Sequence, residues 1–315
     1  MRKTSPSGYC AIFALLIASA AAAAEPLPEE VWLAPKADRV AALTMTPGEC
    51  VTSSVDPQAE YLAELGRAAF KSPMLLGGQA ARGGLSCNSC HVDGRANPDF
   101  YLEGLSGAPG TADVSSSLFS KIRDDGVFNP LPIPTLVGVR GKSSFGTLAP
   151  KPNLRAFIGS AIIEEFQGAP TPSAILDGLV AYIETMSAAA CPASPAPLTP
   201  ARAMDDVRRT LAAARGAVER DDFAAADFLL VSAQSAIGRI HARFPGDDSA
   251  ALRAALGELS RKVGAVRNSP RDPQAMASVI HEIDRSAVKL GKKLQRARAS
   301  SLYDEKMLAA RLERR

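Results

Sequence analysis

Two cysteines and one histidine have the most distinctive spacing in this 315-residue chain. Cys87, Cys90 and His91 form the pattern C-x-x-C-H, in which two thiols lie three residues apart and an imidazole follows directly. On one helical turn the two thiols can add to the two vinyl groups of a porphyrin, and the histidine can then face the iron. The pattern therefore predicts one covalently attached haem c, with His91 as the proximal iron ligand.

A bare C-x-x-C pair also occurs in redox-active dithiols and in zinc sites. A zinc site would need a second pair of ligands, and a thioredoxin-like dithiol would need a surrounding βαβ pattern. The sequence shows neither of these features. We therefore expect haem rather than zinc or a redox dithiol at this motif.

The first residues have the pattern of a secretory signal peptide. Arg2 and Lys3 precede an apolar run over residues 11–24 that ends in small residues. We expect residues 1–24 to be removed, together with Cys10, and the mature chain to be exported to a periplasm, where c-type haem is attached. A membrane anchor is the alternative, but the run is shorter than the roughly 20 residues that a span needs.

Two further cysteines, Cys50 and Cys191, flank the haem motif. An oxidising compartment favours a disulfide between them. The bond would close a loop of about 140 residues, which the chain-entropy model values at about 4–5 kcal/mol. Two free thiols are the alternative.

Composition and hydrophobic spacing indicate an all-α protein. Hydrophobic residues make up 46% of the chain and aromatic residues only 5%, while alanine, a strong helix former, is abundant. Residues 92–152 are rich in glycine and proline, which predicts a long loop that wraps the haem. Beyond residue 200, four series of apolar residues at three- and four-residue spacing predict an antiparallel bundle of about four helices. The expected parts are a signal peptide (1–24), an N-terminal arm (25–56), a haem domain (57–191), a proline-rich linker (192–200) and a helical bundle (201–315).

Charge differs between the two halves of the chain. Residues 201–315 carry 22 basic and 15 acidic residues, a net of +7, whereas residues 1–200 carry 14 and 18, a net of −4. A basic helical face could dock an acidic partner protein, an anionic membrane surface or the protein's own haem domain, and a solvated face is the alternative. Nucleic acid is not expected after export. The basic residues concentrate at Lys289, Lys292, Lys293, Arg296 and Arg298, and at Arg311, Arg314 and Arg315.

The haem segment resembles a known family. Residues 65–70 (L-G-R-A-A-F) and 86–91 (S-C-N-S-C-H) resemble the haem-binding half of the bacterial di-haem cytochrome c peroxidase family. Residues 133–136 (I-P-T-L) are similar to its Thr-Pro-Thr-Leu segment, and residues 179–183 look like the closing helix of class I cytochrome c domains. The resemblance covers roughly residues 57–187 and implies a class I cytochrome c-like haem domain.

The chain also departs from that family. It has one C-x-x-C-H motif instead of two, so a mechanism that passes electrons between two haems is not available within one chain. Class I cytochromes usually supply a methionine to the second axial position of the iron. Between His91 and Met186 there is no methionine and no other histidine, and Met186 lies in the closing helix. The sequence therefore does not identify the sixth iron ligand.

Four kinds of group could occupy that sixth position. Met74 precedes the motif, and we expect it to pack in the core instead. Tyr101 or a nearby lysine could ligate through oxygen or nitrogen. His241 or His281 could reach over from the bundle, although each follows a predicted core residue and is expected at the core edge. The position could also be open or filled by water.

Groups around the proximal side and the haem edge can also be predicted. We expect Nδ1 of His91 to donate a hydrogen bond to a backbone carbonyl, for which residues 97–98 are near in sequence. Arg95, Arg140 and Lys142 are candidates to bind the haem propionates, and a solvated surface position is the alternative for each.

These observations favour an electron-transfer cytochrome that passes single electrons between periplasmic partner proteins. A haem enzyme or sensor with an open distal site is the alternative, but no distal histidine–arginine or histidine–glutamate pair is evident for cleaving a peroxide bond. A third interpretation makes the bundle a scaffold within a larger complex, with haem as an accessory.

Overall fold

The computed structural model describes residues 26–147 and 150–314. Helix accounts for 57% of the structure and strand for 5%, so the predicted all-α class is confirmed. The signal peptide predicted over residues 1–24, including Cys10, lies outside the described residues. Eleven α-helices are found in the described part of the chain. They are α1 (Arg39–Thr44), α2 (Pro57–Phe70), α3 (Gly78–Arg82), α4 (Cys87–Cys90), α5 (Leu154–Ser160), α6 (Ser173–Glu184), α7 (Pro200–Val218), α8 (Phe223–Ala242), α9 (Ala250–Arg267), α10 (Pro273–Arg296) and α11 (Glu305–Glu313).

Helix α2 begins where its capping residues predict. The carboxylate of Asp56 accepts hydrogen bonds from the backbone N–H groups of Gln58 and Ala59, and Pro57 occupies the first helical position. The helix packs closely against α6, and the two backbones meet at a pair of glycines. A Cβ atom added to Gly66 would lie 1.9 Å from the carbonyl oxygen of Gly178. The crossing therefore depends on the absence of side chains at both positions.

We expect G66A to lower the free energy of unfolding by about 3 kcal/mol, because the new methyl group forces α2 and α6 apart in a close-packed core. Urea denaturation followed by circular dichroism measures the effect. The matched control is G257A in α9, where an added Cβ meets no atom within 4 Å. That variant should be neutral or up to about 1 kcal/mol more stable, because alanine is the better helix former. Equal stability of G66A and the wild type would contradict the close crossing.

The C-terminal region is built from four long helices in which each packs against two others. Helix α7 contacts α8 and α10, and α9 contacts α8 and α10. Side chains of Thr199, Asp222 and Asp272 cap the starts of α7, α8 and α10. The buried residues of these helices follow the apolar series expected from the sequence, for example Leu256, Leu259, Val263 and Val266 of α9.

Helix α8 also meets the length and hydropathy criteria for a membrane span, with a mean hydropathy of 1.2, and it is the one helix in the described residues that does so. Central helices of soluble proteins meet the same criteria, and 44% of its most apolar window is buried. Its buried face packs on α7 and α9. The sequence beyond residue 24 predicts no further membrane span, and this stays a prediction.

The N-terminal arm and the proline-rich linker are joined by a short antiparallel strand pairing. Strand β1 (Met45–Thr46) pairs antiparallel with β4 (Ala196–Pro197), and the N–H of Leu198 donates to the carbonyl of Thr44. The main apolar cluster runs without interruption from α2 and α6 into α7–α10. Residues 192–200, predicted as a linker between two domains, therefore lie between two parts of one continuous core.

The long loop after the C-x-x-C-H motif contains little regular structure, as its prolines predict. Strand β2 (Thr111–Ala112) pairs antiparallel with β3 (Leu131–Pro132) over two residues each. Proline is tolerated in this isolated two-stranded pairing because β3 has no partner on its other side among the described residues. The loop returns at residues 133–136 to contact the segment that follows His91.

Candidate functional site

The C-x-x-C-H motif forms a single helical turn with its own local caps. Helix α4 (Cys87–Cys90) starts after Ser86, whose N–H donates to Oγ of Ser89 at 3.1 Å and whose carbonyl accepts from the N–H of Ser89 at 2.9 Å. The N–H of His91 donates to the carbonyl of Cys87 at 2.9 Å, which places the imidazole directly after the turn. Both thiols and the imidazole are therefore carried on one short, capped element.

The imidazole of His91 is oriented by a distant backbone carbonyl. Its Nδ1 lies 3.0 Å from the carbonyl oxygen of Pro134, so that nitrogen carries the proton and Nε2 keeps its lone pair. Residues 97–98, which we expected to supply this carbonyl, do not; the N–H of Asn97 instead donates to the carbonyl of Cys90. Burial lowers the pKa of His91 to about 4 although the bond to Pro134 opposes this shift. The ring is therefore neutral at pH 7, as a metal ligand must be.

The two thiols of the motif are free and lie between two apolar clusters. Cys87 packs against the main core, and Cys90 packs against a second cluster that includes Trp32, Phe100 and Phe119. Burial raises the pKa of Cys87 to about 12 and raises the pKa of Cys90 as well. Redox-active dithiols depend on a depressed thiol pKa. The raised pKa values of the two thiols therefore favour a site next to an apolar group over a redox-active dithiol.

Sequence reasoning missed a charged pair beside these thiols. Glu165, which is 9% exposed, lies in the π-helical turn Ala161–Glu165 and accepts a hydrogen bond from Nη1 of Arg123 at 2.9 Å. The other terminal nitrogen of Arg123 donates to Oγ of Ser160 at 2.9 Å. The charge of Glu165 contributes to the raised pKa of both motif thiols. No local signal marks the pair, because 42 residues separate its members and the loop brings them together.

Burial raises the pKa of Glu165 from its ordinary value near 4.5 to about 7, although Arg123 opposes the shift. The folded protein then holds this proton more tightly than the unfolded chain, so the free energy of unfolding should fall as the pH rises from about 4.5 to about 7. E165Q should remove this part of the pH dependence, on the order of 2 kcal/mol. Urea denaturation at a series of pH values measures it.

The control for that experiment is the neighbouring residue. A hydrogen bond from Ser160 lowers the pKa of Glu164. The stability that Glu164 contributes is therefore lost when the pH falls, and it does not change when the pH rises above about 4.5. E164Q should therefore keep the wild-type slope between about pH 5 and 7. The same slope in E165Q and the wild type would contradict a buried, proton-binding Glu165.

None of the four named sixth-ligand candidates forms a hydrogen bond or ion pair with Cys87, Cys90 or His91. The prediction that Met74 packs in the core is wrong. Its short 3-10 turn, Pro73–Leu75, buries Pro73 and Leu75 and leaves Met74 48% exposed. His241 and His281 are exposed rather than at the core edge, and His281 faces Arg215 of α7. Tyr101 is half-buried, with its N–H donating to the carbonyl of Trp32.

Met186 and the three propionate candidates also have definite positions. Met186 is buried against the segment after His91, where a Cβ atom on Gly94 would lie 2.5 Å from its sulfur. Arg95 turns away from the loop and donates to the carbonyl of Gly48 in the N-terminal arm. The remaining two candidates, Arg140 and Lys142, are exposed.

Cys50 and Cys191 are joined in a disulfide, with their Cα atoms 4.0 Å apart. The N–H of Ser187 donates to the carbonyl of Cys50, and an isolated bridge pairs Val51 with Met186. The bond therefore fastens the N-terminal arm to the segment that follows α6. This is the segment that packs behind His91.

Within residues 26–147 and 150–314, no group of three or more histidine, cysteine, aspartate or glutamate side chains could hold a metal ion by itself. A haem iron does not need such a group, because the porphyrin supplies the equatorial donors and one histidine suffices on the proximal side. Comparisons with protein-family models, with curated proteins and with solved structures give no match. What the chain does is therefore inferred from its own residues.

Proposed function

We propose that this protein is an exported mono-haem c-type cytochrome that transfers single electrons between protein partners. The observation that carries the proposal is the imidazole of His91, held by Pro134 with Nε2 available, at the end of a turn that presents two free thiols. Export rests on residues 1–24 and on the Cys50–Cys191 disulfide, which is typical of an oxidising compartment.

The residues present fit a covalent haem c. Cys87 and Cys90 would form the thioethers, and Nε2 of His91 would ligate the iron. The bond from Nδ1 to Pro134 fixes the ring orientation and raises the basicity of the ligating nitrogen. The two apolar clusters that meet at the thiols would exclude water from the haem edges. In fold terms, we propose a class I cytochrome c-like unit that shares its core with an antiparallel helical bundle.

When bound, haem supplies an iron centre that gains and loses one electron. The protein's part is to hold that centre rigidly, so that little reorganisation accompanies the change of charge. Asp93 contributes to this rigidity: its N–H donates to Oδ1 of Asn88 at 2.9 Å, and its carboxylate accepts from Thr46 and from the N–H of Gly48. These bonds link the turn after His91 to the N-terminal arm.

The basic face of α10 is the proposed docking surface for an acidic redox partner. Charge complementarity accelerates such encounters and makes them sensitive to salt. Arg298 is half-buried at the end of this face, and Arg311, which we also counted among the basic residues, is only 7% exposed and does not belong to it. The exposed members are Lys289, Lys292, Lys293 and Arg296.

A second candidate function is a peroxidase-like haem enzyme or a sensor of peroxide or a diatomic gas. It is favoured by Glu165, a buried carboxyl group paired with Arg123 beside the thiols. With a pKa of about 7, this group could accept and return a proton at neutral pH. The pair supplies the acid–base group that the sequence did not reveal.

Spectroscopy of the mature chain, produced with a cytochrome c maturation system, separates the two functions. Low-spin iron that does not react with carbon monoxide supports electron transfer. High-spin iron that binds carbon monoxide rapidly supports the second candidate, in which case E165Q should lose peroxide turnover and E164Q should keep it. Absence of covalent haem would contradict both.

A further inference from the structure

A cavity of about 540 Å³ lies where three parts of the chain meet, and Cys87, Cys90 and His91 do not line it. The N-terminal arm, the outer side of the C-x-x-C-H turn and helices α7 and α8 all contribute to its wall. Asn88, Ser89 and Val92 line it on the motif side, and Arg239 and Arg243 line it on the α8 side. Its volume is in the range of small-molecule sites.

The carboxylates in this cavity on the motif side already have cationic partners. Glu49 pairs with Arg67 at 2.9 Å and with Lys71, and Asp206 pairs with the same two side chains. Burial opposes ionisation of Glu49, but Lys71 and Arg67 lower its pKa to about 2. Asp93 lies 3.5 Å from Nζ of Lys71. Glu49, Asp93 and Asp206 thus share the two cations Arg67 and Lys71, and each has at least one cationic partner.

Arg239 of α8 also lines the cavity and has no such partner. Its guanidinium donates to Oγ of Ser235 at 3.1 Å and to the carbonyl of Lys71 at 3.3 Å, and no carboxylate of the described residues lies within 4.0 Å of it. Burial lowers the pKa of Arg239, although Glu29 and Asp206 oppose the shift. A partly buried guanidinium that lacks a counter-charge is costly to keep unless another group neutralises it.

Two more arginines line the cavity, Arg243 at the end of α8 and Arg202 in α7. Arg243 donates to the carbonyls of Leu43 and Leu302 and lies 3.9 Å from Glu29, a long ion pair. Arg202 is exposed at the cavity mouth, and no carboxylate of the described residues pairs with it. Among the described residues, Glu29 is thus the one carboxylate within 4.0 Å of Arg239, Arg243 and Arg202.

We propose that this cavity binds a small organic or inorganic oxyanion, of carboxylate or phosphate type, with the guanidinium of Arg239 as its main contact. The planar fork of arginine binds two oxygens of either group at once. Arg243 and Arg202 add positive charge around the same space. Cys87, Cys90 and His91 do not line the cavity, so the inference does not depend on the proposed function.

Isothermal titration calorimetry of the mature protein with citrate and, separately, with pyrophosphate at constant ionic strength tests the proposal. We expect saturable binding at one site, and the tighter of the two anions indicates whether the natural ligand is a carboxylate or a phosphate. R239Q should weaken binding about tenfold or more, because a charge-assisted bidentate contact is lost. The matched control is R261Q in α9, whose arginine is 75% exposed and paired with Glu258 outside the cavity.

A second variant fills the space without changing charge. Ala236 lines the cavity on α8, and A236F should block binding of the same anion. Circular dichroism verifies that each variant is folded. If R239Q does not fold, anion binding by A236F decides whether the cavity is the binding site. The proposal is wrong if neither anion binds the wild type, or if the folded R239Q and A236F variants bind as tightly as R261Q.

Discussion

Replacing Cys87 and Cys90 together with serine should abolish covalent haem attachment in a host that attaches haem to exported cytochromes. Thioether bonds need the two sulfur atoms, and the serine hydroxyl does not add to a vinyl group under the same conditions. The substitutions are nearly isosteric and leave the hydrogen bond from the N–H of Ser86 to Oγ of Ser89 in place. The fold of the turn should therefore survive while the cofactor is lost. Haem staining after denaturing electrophoresis and the intact mass of the purified chain measure the effect.

Two further variants make the result specific. S89A changes a residue of the same helical turn, removes only a hydrogen bond to the N–H of Ser86, and should keep covalent haem. H91Q should keep at least part of the covalent haem but lose the optical spectrum of a histidine-ligated iron. Covalent haem in the double serine variant would show that the motif is not the attachment site.

The second large effect is expected on stability. C50S/C191S should lower the free energy of unfolding by about 4 kcal/mol, because the disulfide closes a loop with a sequence separation of 141 residues and restricts the unfolded chain. The bond also holds the N-terminal arm against the segment behind His91. Urea denaturation of the oxidised protein measures the change.

A reducing agent provides the control for this prediction. Dithiothreitol should bring the wild-type midpoint down to that of C50S/C191S and leave the variant unchanged, because the described residues contain no other disulfide. Equal midpoints for the oxidised wild type and the variant would mean that the bridge does not stabilise the fold.

Several elements could be predicted because their signals are local. Asp56 and Pro57 mark the start of α2, and their capping contacts involve residues two and three positions away. The apolar series of α9 and α10 needs only the period of the helix. The same locality explains the motif, since Cys87, Cys90 and His91 lie within one turn.

Apart from the Cys50–Cys191 disulfide, the predictions that needed the tertiary structure were less accurate. Met74 was expected in the core because it is apolar, yet its turn directs the neighbouring Pro73 and Leu75 inward and leaves Met74 exposed. The carbonyl that binds His91 belongs to Pro134, 43 residues away, and not to residues near in sequence. Neither outcome follows from local pattern.

The sequence by itself determined the helical class, the starts of the main helices and the placement of two thiols and an imidazole on one turn. Each depends on residues a few positions apart, where chain geometry leaves few choices. Only the tertiary structure decided that Pro134 orients His91, that Glu165 and Arg123 meet beside the thiols, and that Arg239 faces a cavity without a carboxylate partner. These arrangements depend on how a proline-rich loop and four distant helices pack, because burial and pairing of charges are properties of the folded core rather than of any segment.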